Sequence, residues 1–419
     1  MKILVLGAGV VGVTTAYQLA KKGYDVTVVD RRSRSASECS YANGGQLSYS
    51  HVDPWANPVA LKKIPKWLLT KDSPLVVSSF LDHKMWSWGI KFLACCNKKK
   101  ALESSTNMMR LAIYSKEMLK EIEADTDFSY DKGSEGILHI FKSDKDLRNN
   151  IEQAKFLKKL GCDYQLLDSR LACEEKEPAF KNSPMNIIGG IHYPMDEKGD
   201  IFKFTTQLSD KLQKSGSVEF RYNTDITDIN LKNNKIISVS TDKGELEADS
   251  YVMCLGVASP IILDKVGIKV PIYPMKGYSI SIPIKNYDEA PSIGVTDQSN
   301  KIVYSKLGNI LRVAGTAEFA GYDDSIQEKR INTLKKMTKE LFPNCGDLDN
   351  STSWSCLRPS TPDGSPIIGR CAINNLYINT GHGTLGWTMS FASSKAISDI
   401  IAGKEPAIDL TGLDMRRFT

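Results

Sequence analysis

The first thirty residues constrain this chain most. A short apolar strand, Lys2-Ile3-Leu4-Val5-Leu6, runs directly into Gly7-Ala8-Gly9-Val10-Val11-Gly12, and an amphipathic helix follows to about Lys22. Gly23 ends the helix, and a second strand from Asp25 to Val29 delivers Asp30. Strand, glycine turn, helix, strand and acid in this order predict a dinucleotide-binding fold. Gly7 allows the tight turn, Gly9 lets a pyrophosphate approach the backbone, and Gly12 lets helix and strand pack closely. The phosphates would meet unpaired N–H groups at the helix start, around Val10 and Val11. Asp30, 18 residues beyond Gly12, is spaced to bond ribose hydroxyls. A secretory leader also begins with a lysine and an apolar run, but spaced glycines and an ordered second strand are not features of one.

At 419 residues, 41% hydrophobic and 25% charged, the chain has room for two domains of ordinary globular character. No apolar run reaches the length of a membrane span. Nine scattered cysteines without a C-x-x-C pair, and five dispersed histidines, predict a reduced, cytoplasmic, metal-free protein. Charge is uneven. Residues 60–100 hold nine lysines against Asp72 and Asp82, interleaved with Trp67, Leu68, Leu69, Phe80, Trp86, Trp88 and Phe92, so the remainder is close to neutral despite a net +5. Such a mixture fits a lysine-coated helical pair over a core, or an anionic membrane surface that takes the rings at headgroup level. A nucleic-acid partner is not expected.

Periodicity predicts helices over 101–124, 146–160, 202–214 and 325–342, and strands at 136–141, 217–222, 226–231, 235–240, 245–251, 278–284, 301–304 and 310–314. A second apolar strand runs through residues 249–255 to Gly256, another tip able to meet a nucleotide. These pieces predict an α/β chain: a discontinuous Rossmann-type domain (1–82, 197–270 and 352–419) with an inserted α+β substrate domain on a mixed or antiparallel sheet (83–196 and 271–351). Near the end, Gly381-His382-Gly383-Thr384-Leu385-Gly386 separates a strand from a helix. Alternate glycines cost order on folding, which suits backbone amides that must approach a flat ligand. The helix that follows aims its positive end at that ligand. Upstream, Arg358 precedes Pro359 and so sits in extended backbone, a fixed guanidinium fork for a carboxylate.

Five motifs together resemble one family: GAGVVG at 7–12, ANGGQ at 42–46, PMKGYS at 274–279, LRPSTPDGSPIIG at 357–369 and NTGHGTLGWTMS at 379–390. Over its full length the chain resembles the bacterial D-amino acid dehydrogenase small subunits, within the FAD-dependent D-amino acid oxidase superfamily. The resemblance implies non-covalent FAD, oxidative deamination of D-amino acids, D-alanine above all, and electrons passed to a quinone or other respiratory acceptor. It also implies a peripheral place on the inner face of the bacterial cytoplasmic membrane. By the same resemblance Gly7, Gly9, Gly12 and Asp30 match the adenosine and pyrophosphate site. Ala42, Asn43, Gly44 and Gly45 match a segment passing the flavin, and Gly381, His382, Gly383, Thr384 and Leu385 a loop under its pyrimidine edge. Arg358 matches the arginine that holds the substrate carboxylate, and Tyr278 is expected to close the pocket or bond that carboxylate.

Two departures stand out. Asp30-Arg31-Arg32 replaces the glutamate of many flavoproteins; Asp30 still accepts from a ribose, with Arg31 beside it, but two arginines also suit the 2′-phosphate of NADP. Cys356 stands where the sarcosine oxidase branch attaches its flavin covalently, which leaves the linkage open. The expected chemistry is hydride transfer from the substrate alpha carbon to flavin N5, with no side chain evident as a base and the neutral amine supplying the electrons. Glycine, sarcosine, D-proline or hydroxyproline oxidation are the alternatives, as is a flavin-binding protein without turnover.

Overall fold

The computed structural model describes residues 1–61, 64, 75–79 and 81–418; the cluster of Trp67, Leu68, Leu69, Phe80 and the lysines at 62, 63, 66 and 71 lies outside them. Two large sheets organise the chain. The first has six strands in the order Ile367–Arg370, Leu376–Thr380, Ser250–Met253, Lys2–Leu6, Asp25–Val29 and Val218–Arg221. All pair in parallel except Ile367–Arg370 at the edge. Near-continuous burial along Lys2–Leu6, Ser250–Met253 and Leu376–Thr380 is what a parallel sheet covered on both faces requires. Helices Val10–Ala20 and Gly386–Ile401 pack together on one face, and the Ser394 hydroxyl meets those of Thr14 and Thr15 at 2.8 and 3.0 Å. Leu6, Met253 and Thr380 end parallel neighbours, so the turns at Gly7–Gly9, Cys254–Gly256 and Gly381–Gly386 gather at one edge. This is the carboxyl edge, where such sheets bind ligands.

The second sheet has nine strands. Eight follow the order Thr352–Ser360, Tyr273–Pro283, Ile310–Phe319, Ile302–Leu307, Gly294–Asp297, Ile137–Phe141, Gly189–Tyr193 and Gln165–Leu167, and Leu75–Val77 pairs with Ile310–Phe319. It is mixed, as expected. One face carries Tyr278, Ile280, Ile282, Leu311 and Val313 into a core with Leu334 and Leu341 of helix Glu328–Leu341. The other face presents Ser279, Ser305 and Arg312 to the Ala42–Gly45 segment of the nucleotide half.

Pairing departs from the division expected from sequence at three places. Thr352–Ser360, expected in the nucleotide domain, is an edge strand of the nine-stranded sheet, antiparallel to Tyr273–Ser281. Leu75–Val77 also joins that sheet. Helix Lys98–Ala124, expected in the substrate domain, buries Met108, Leu111, Met118 and Ile122 in the core of the nucleotide half. Backbone hydrogen bonds and apolar stripes, rather than position along the chain, decide which half a segment joins. The strand expected at 245–251 is broken as well. Gly244–Leu246 closes a three-stranded sheet with Ile226–Lys232 and Lys235–Thr241, and Ser250–Met253 enters the parallel sheet.

Candidate active site

At the first turn, two glycines are consumed by packing. Gly7 has φ +107°, and a Cβ there would lie 2.7 Å from the Cys254 carbonyl oxygen; a Cβ on Gly12 would lie 1.8 Å from that of Gly7. Gly9 is different: the nearest atom to its Cβ position is Ser40 Oγ at 3.7 Å. Ser40, which no motif marked, accepts the Val10 N–H at 3.0 Å. Asp30 accepts the Ala8 N–H at 2.7 Å and the Arg32 N–H at 2.8 Å, so it braces the glycine turn from the next strand. Burial raises its pKa, while the two backbone donors oppose that shift. Arg31 and Arg32 both bond Glu38 Oε1, at 2.8 and 2.6 Å, which engages the two guanidinium groups that would otherwise suit a 2′-phosphate. Asp30→Ala unfastens the turn. At about 1.4 kcal/mol for the charge-assisted bonds lost, FAD affinity falls roughly tenfold, as titration of apoprotein with FAD will show.

Ala42, Asn43 and Gly44 lie across the nine-stranded sheet with every carbonyl engaged. Ser279 Oγ donates to Ala42 O at 2.6 Å, Arg312 Nη1 to Asn43 O at 3.0 Å and Ser305 Oγ to Gly44 O at 2.8 Å. The Asn43 side chain accepts the Gly45 N–H at 2.9 Å. A Cβ on Gly44 would meet Val303 Cγ2 at 2.5 Å, and Gly45 has φ +68°, so both glycines are required by the close crossing. Arg312 is buried at 6% exposure, and burial lowers its pKa. Among the described residues no carboxylate lies within ion-pair distance of it.

The third turn is fixed from below. Ser360 and His382 form an isolated antiparallel bridge, and His382 Nε2 lies 3.0 Å from Ser393 Oγ. Burial lowers the His382 pKa to about 3, so the imidazole is neutral at ordinary pH. Leu385 packs against the nucleotide core, and Thr384 is exposed. Around these turns the residues fit a flavin dinucleotide. Cβ positions on Gly9, Gly256 and Gly383 come no nearer than 3.7, 3.9 and 4.0 Å to any other group. The buried Ser360 hydroxyl, without a hydrogen-bond partner among the described residues, is the neighbour of Gly383. Helices Val10–Ala20 and Gly386–Ile401 both start without a side-chain cap from their N-cap residues, so their positive ends face this edge.

Arg358 lies opposite Met275 in the strand register. Its guanidinium crosses directly over Gly277, where a Cβ would stand 2.0 to 2.4 Å from Nη2, Cζ and Nη1. Nη1 donates to Thr316 O at 2.9 Å. Thr316 has φ +64°, next to a register shift in its strand pairing, and this local strain turns its carbonyl toward the arginine. Among the described residues no carboxylate pairs with Arg358. Met275, Ala317 and Leu75 form an apolar cluster alongside, with Trp55 and Phe319 against it.

Tyr278 does not join this group. Strand alternation puts it on the face opposite Ser279 and Gly277, within the core against helix Glu328–Leu341, and its hydroxyl donates to Glu318 Oε2 at 2.5 Å. Burial, with Glu318 beside it, raises its pKa. The expected substrate contact at Tyr278 is therefore corrected to a packing role, and Gly277 is the residue of that motif that serves the site.

A parallel nucleotide sheet with three open turns at one edge, joined to a mixed sheet that carries an arginine without a carboxylate partner among the described residues, fits a flavin oxidoreductase. The chain belongs to the family of FAD dependent oxidoreductases termed DAO, whose match spans residues 2–400, and FAD is the cofactor. It is 43% identical over 418 residues to a D-amino acid dehydrogenase from Rhizobium rhizogenes, with all of both chains covered. It is 41% identical over 420 residues to one from Paramagnetospirillum magneticum, covering all of this chain and 99% of the other. Among solved structures, glycine oxidase from Bacillus cereus superposes with a TM-score of 0.74 at 21% identity, covering 97% of this chain and 96% of that one. L-proline dehydrogenase from P. horikoshii gives 0.75 at 21%, covering 100% and 97%. These two likenesses establish the fold.

Proposed function

We propose that the protein deaminates D-amino acids oxidatively, D-alanine by preference, to 2-oxo acids and ammonia, and passes the electrons to a quinone. The observation that carries this reading is Arg358: a guanidinium with one internal hydrogen bond, aimed across Gly277 beside an apolar cluster. The names of the full-length relatives support the D-amino acid assignment. FAD, when bound, supplies the two-electron acceptor. Arg358 holds the substrate carboxylate bidentately, and Met275, Ala317 and Leu75 favour a small apolar side chain. His382, neutral and bonded to Ser393, orients its loop and takes no proton. The substrate amine therefore loses its proton to solvent before turnover. We expect kcat/KM for D-alanine to rise with pH between 6 and 9, and His382→Asn to leave the midpoint of that rise unmoved. A midpoint displaced by more than about one pH unit in this variant would give His382 a proton-transfer role.

The deciding experiment mixes flavin-loaded protein anaerobically with D-alanine, D-proline, L-alanine, glycine and sarcosine, and follows flavin absorbance. Bleaching by D-alanine, reversed faster by a quinone analogue than by air, is expected. Bleaching by glycine or sarcosine alone, with rapid recovery in air, would overturn the proposal.

The proposal includes a peripheral place on the anionic inner face of the bacterial membrane. Helix His83–Cys95 buries Met85, Trp88 and Cys95, yet its outer side shows Trp86, Ile90 and Leu93 at 54, 68 and 53% exposure, among exposed Lys84, Lys91, Lys98, Lys99 and Lys100. No described helix is long and apolar enough to cross a membrane. Losing two apolar anchors of this size costs about 3 kcal/mol of insertion, so the double variant Trp86→Ser with Ile90→Ser should bind phosphatidylglycerol vesicles roughly 100-fold more weakly. Its turnover in solution should be unchanged. Equal vesicle binding by both proteins would remove this surface from the proposal.

A further inference from the structure

Cys39 lies in the loop after Asp30, in the nucleotide half, and Cys356 lies on the strand that carries Arg358. The Cys39 S–H donates to the Leu357 carbonyl oxygen at 3.0 Å, which brings it to the backbone next to Cys356. Cys356 pairs opposite Gly277 in the register, two residues before Arg358 and therefore on the same face of the strand. The guanidinium that crosses Gly277 thus lies beside the Cys356 sulfur. Both thiols are half-buried, as is Cys371, whereas Cys95, Cys96, Cys162, Cys173, Cys254 and Cys345 are buried.

We propose that Cys39 and Cys356 form a reversible thiol-oxidation site, closed by hydrogen peroxide into a disulfide that ties the nucleotide loop to the Arg358 strand. Site selectivity follows from the surroundings. The hydrogen bond from Cys39, and then the Arg358 charge, hold the Cys356 thiol below its ordinary range, against the opposing effect of burial. The other eight thiols are all pushed up. A low thiol with a second thiol brought to the same stretch of strand is the arrangement that oxidises in two steps. The Cys356 sulfur attacks one peroxide oxygen, the O–O bond breaks, and Cys356–S–OH and one water result. The Cys39 sulfur then attacks the sulfenic sulfur; an S–S bond forms, the S–O bond breaks, and the departing hydroxide leaves as water with the Cys39 proton. Two sulfurs are oxidised, and both peroxide oxygens are reduced. The site does not depend on which amino acid the protein oxidises.

The test treats flavin-loaded protein with a few equivalents of hydrogen peroxide, quenches with catalase, alkylates free thiols and maps peptides without reduction. A Cys39–Cys356 linked peptide, with two thiols lost on titration of the denatured protein and regained with dithiothreitol, is the expected result. Cys39→Ser should form no linked peptide, hold Cys356 as a sulfenic acid trapped by dimedone, and keep the turnover of the untreated protein. Retention of all nine thiols, linkage between other cysteines, or a Cys356 peptide that carries flavin would each overturn the proposal.

Discussion

Arg358→Ala raises KM for D-alanine by roughly 100-fold while FAD remains bound. Among the described residues the arginine has one internal partner, Thr316 O, and no carboxylate, so most of its donors can meet a ligand. Removing a guanidinium from a charge-assisted, two-pronged contact costs about 3 kcal/mol, which is about two decades in kcat/KM. Most of that loss falls on KM if, as proposed, Arg358 holds the carboxylate both before and during oxidation. Arg358→Lys keeps the charge but loses the planar fork and the reach across Gly277, so it should recover only about one decade. Steady-state rates with an artificial acceptor, together with flavin absorbance of the purified variant, decide the matter. An unchanged KM would place the carboxylate elsewhere.

What the sequence disclosed, and what it concealed, follows from how local each signal is. The Gly7–Gly12 turn and the Gly381–Leu385 loop were legible as turns because their geometry is set within a few residues, whereas the brace that Asp30 makes to the Ala8 N–H was not. The membership of Thr352–Ser360 was not, because strand pairing joins it to Tyr273–Ser281, some 80 residues away, and no nearby residue records that choice. Ser40, Ser279 and Ser305 carry no signal of their own, since serine is common in loops and on strands. Arg312 had one, a lone charge amid the apolar run Ile310-Leu311-Arg312-Val313-Ala314, and the price of burying it marks the crossing of the Ala42–Gly45 segment. The motif at 274–279 pointed to the right place but to the wrong residue. An aromatic side chain invites a contact, whereas the glycine before it invites none until Arg358 is seen to lie across it.

Gly277→Ala therefore tests that geometry directly. Gly277 has ordinary extended backbone, so alanine strains nothing in the strand itself; the new Cβ instead claims space 2.0 to 2.4 Å from three atoms of the Arg358 guanidinium. The strand is pinned on both sides, by Thr352–Ser360 and by Ile310–Phe319, so the side chain must yield rather than the sheet. Displaced from Thr316 O, Arg358 presents its fork in the wrong place, and an offset near 1 Å is enough to cost about 100-fold. We expect KM for D-alanine to rise between roughly 30- and 100-fold in Gly277→Ala, with flavin content and thermal stability little changed. The double variant Gly277→Ala with Arg358→Ala is the sharper measurement. If the glycine acts only by clearing a path for the arginine, its substitution adds almost nothing once the arginine is gone, and the two losses fail to sum. Additive losses would mean that Gly277 contributes to the site independently, and that the crossing over its α-carbon is incidental to substrate binding.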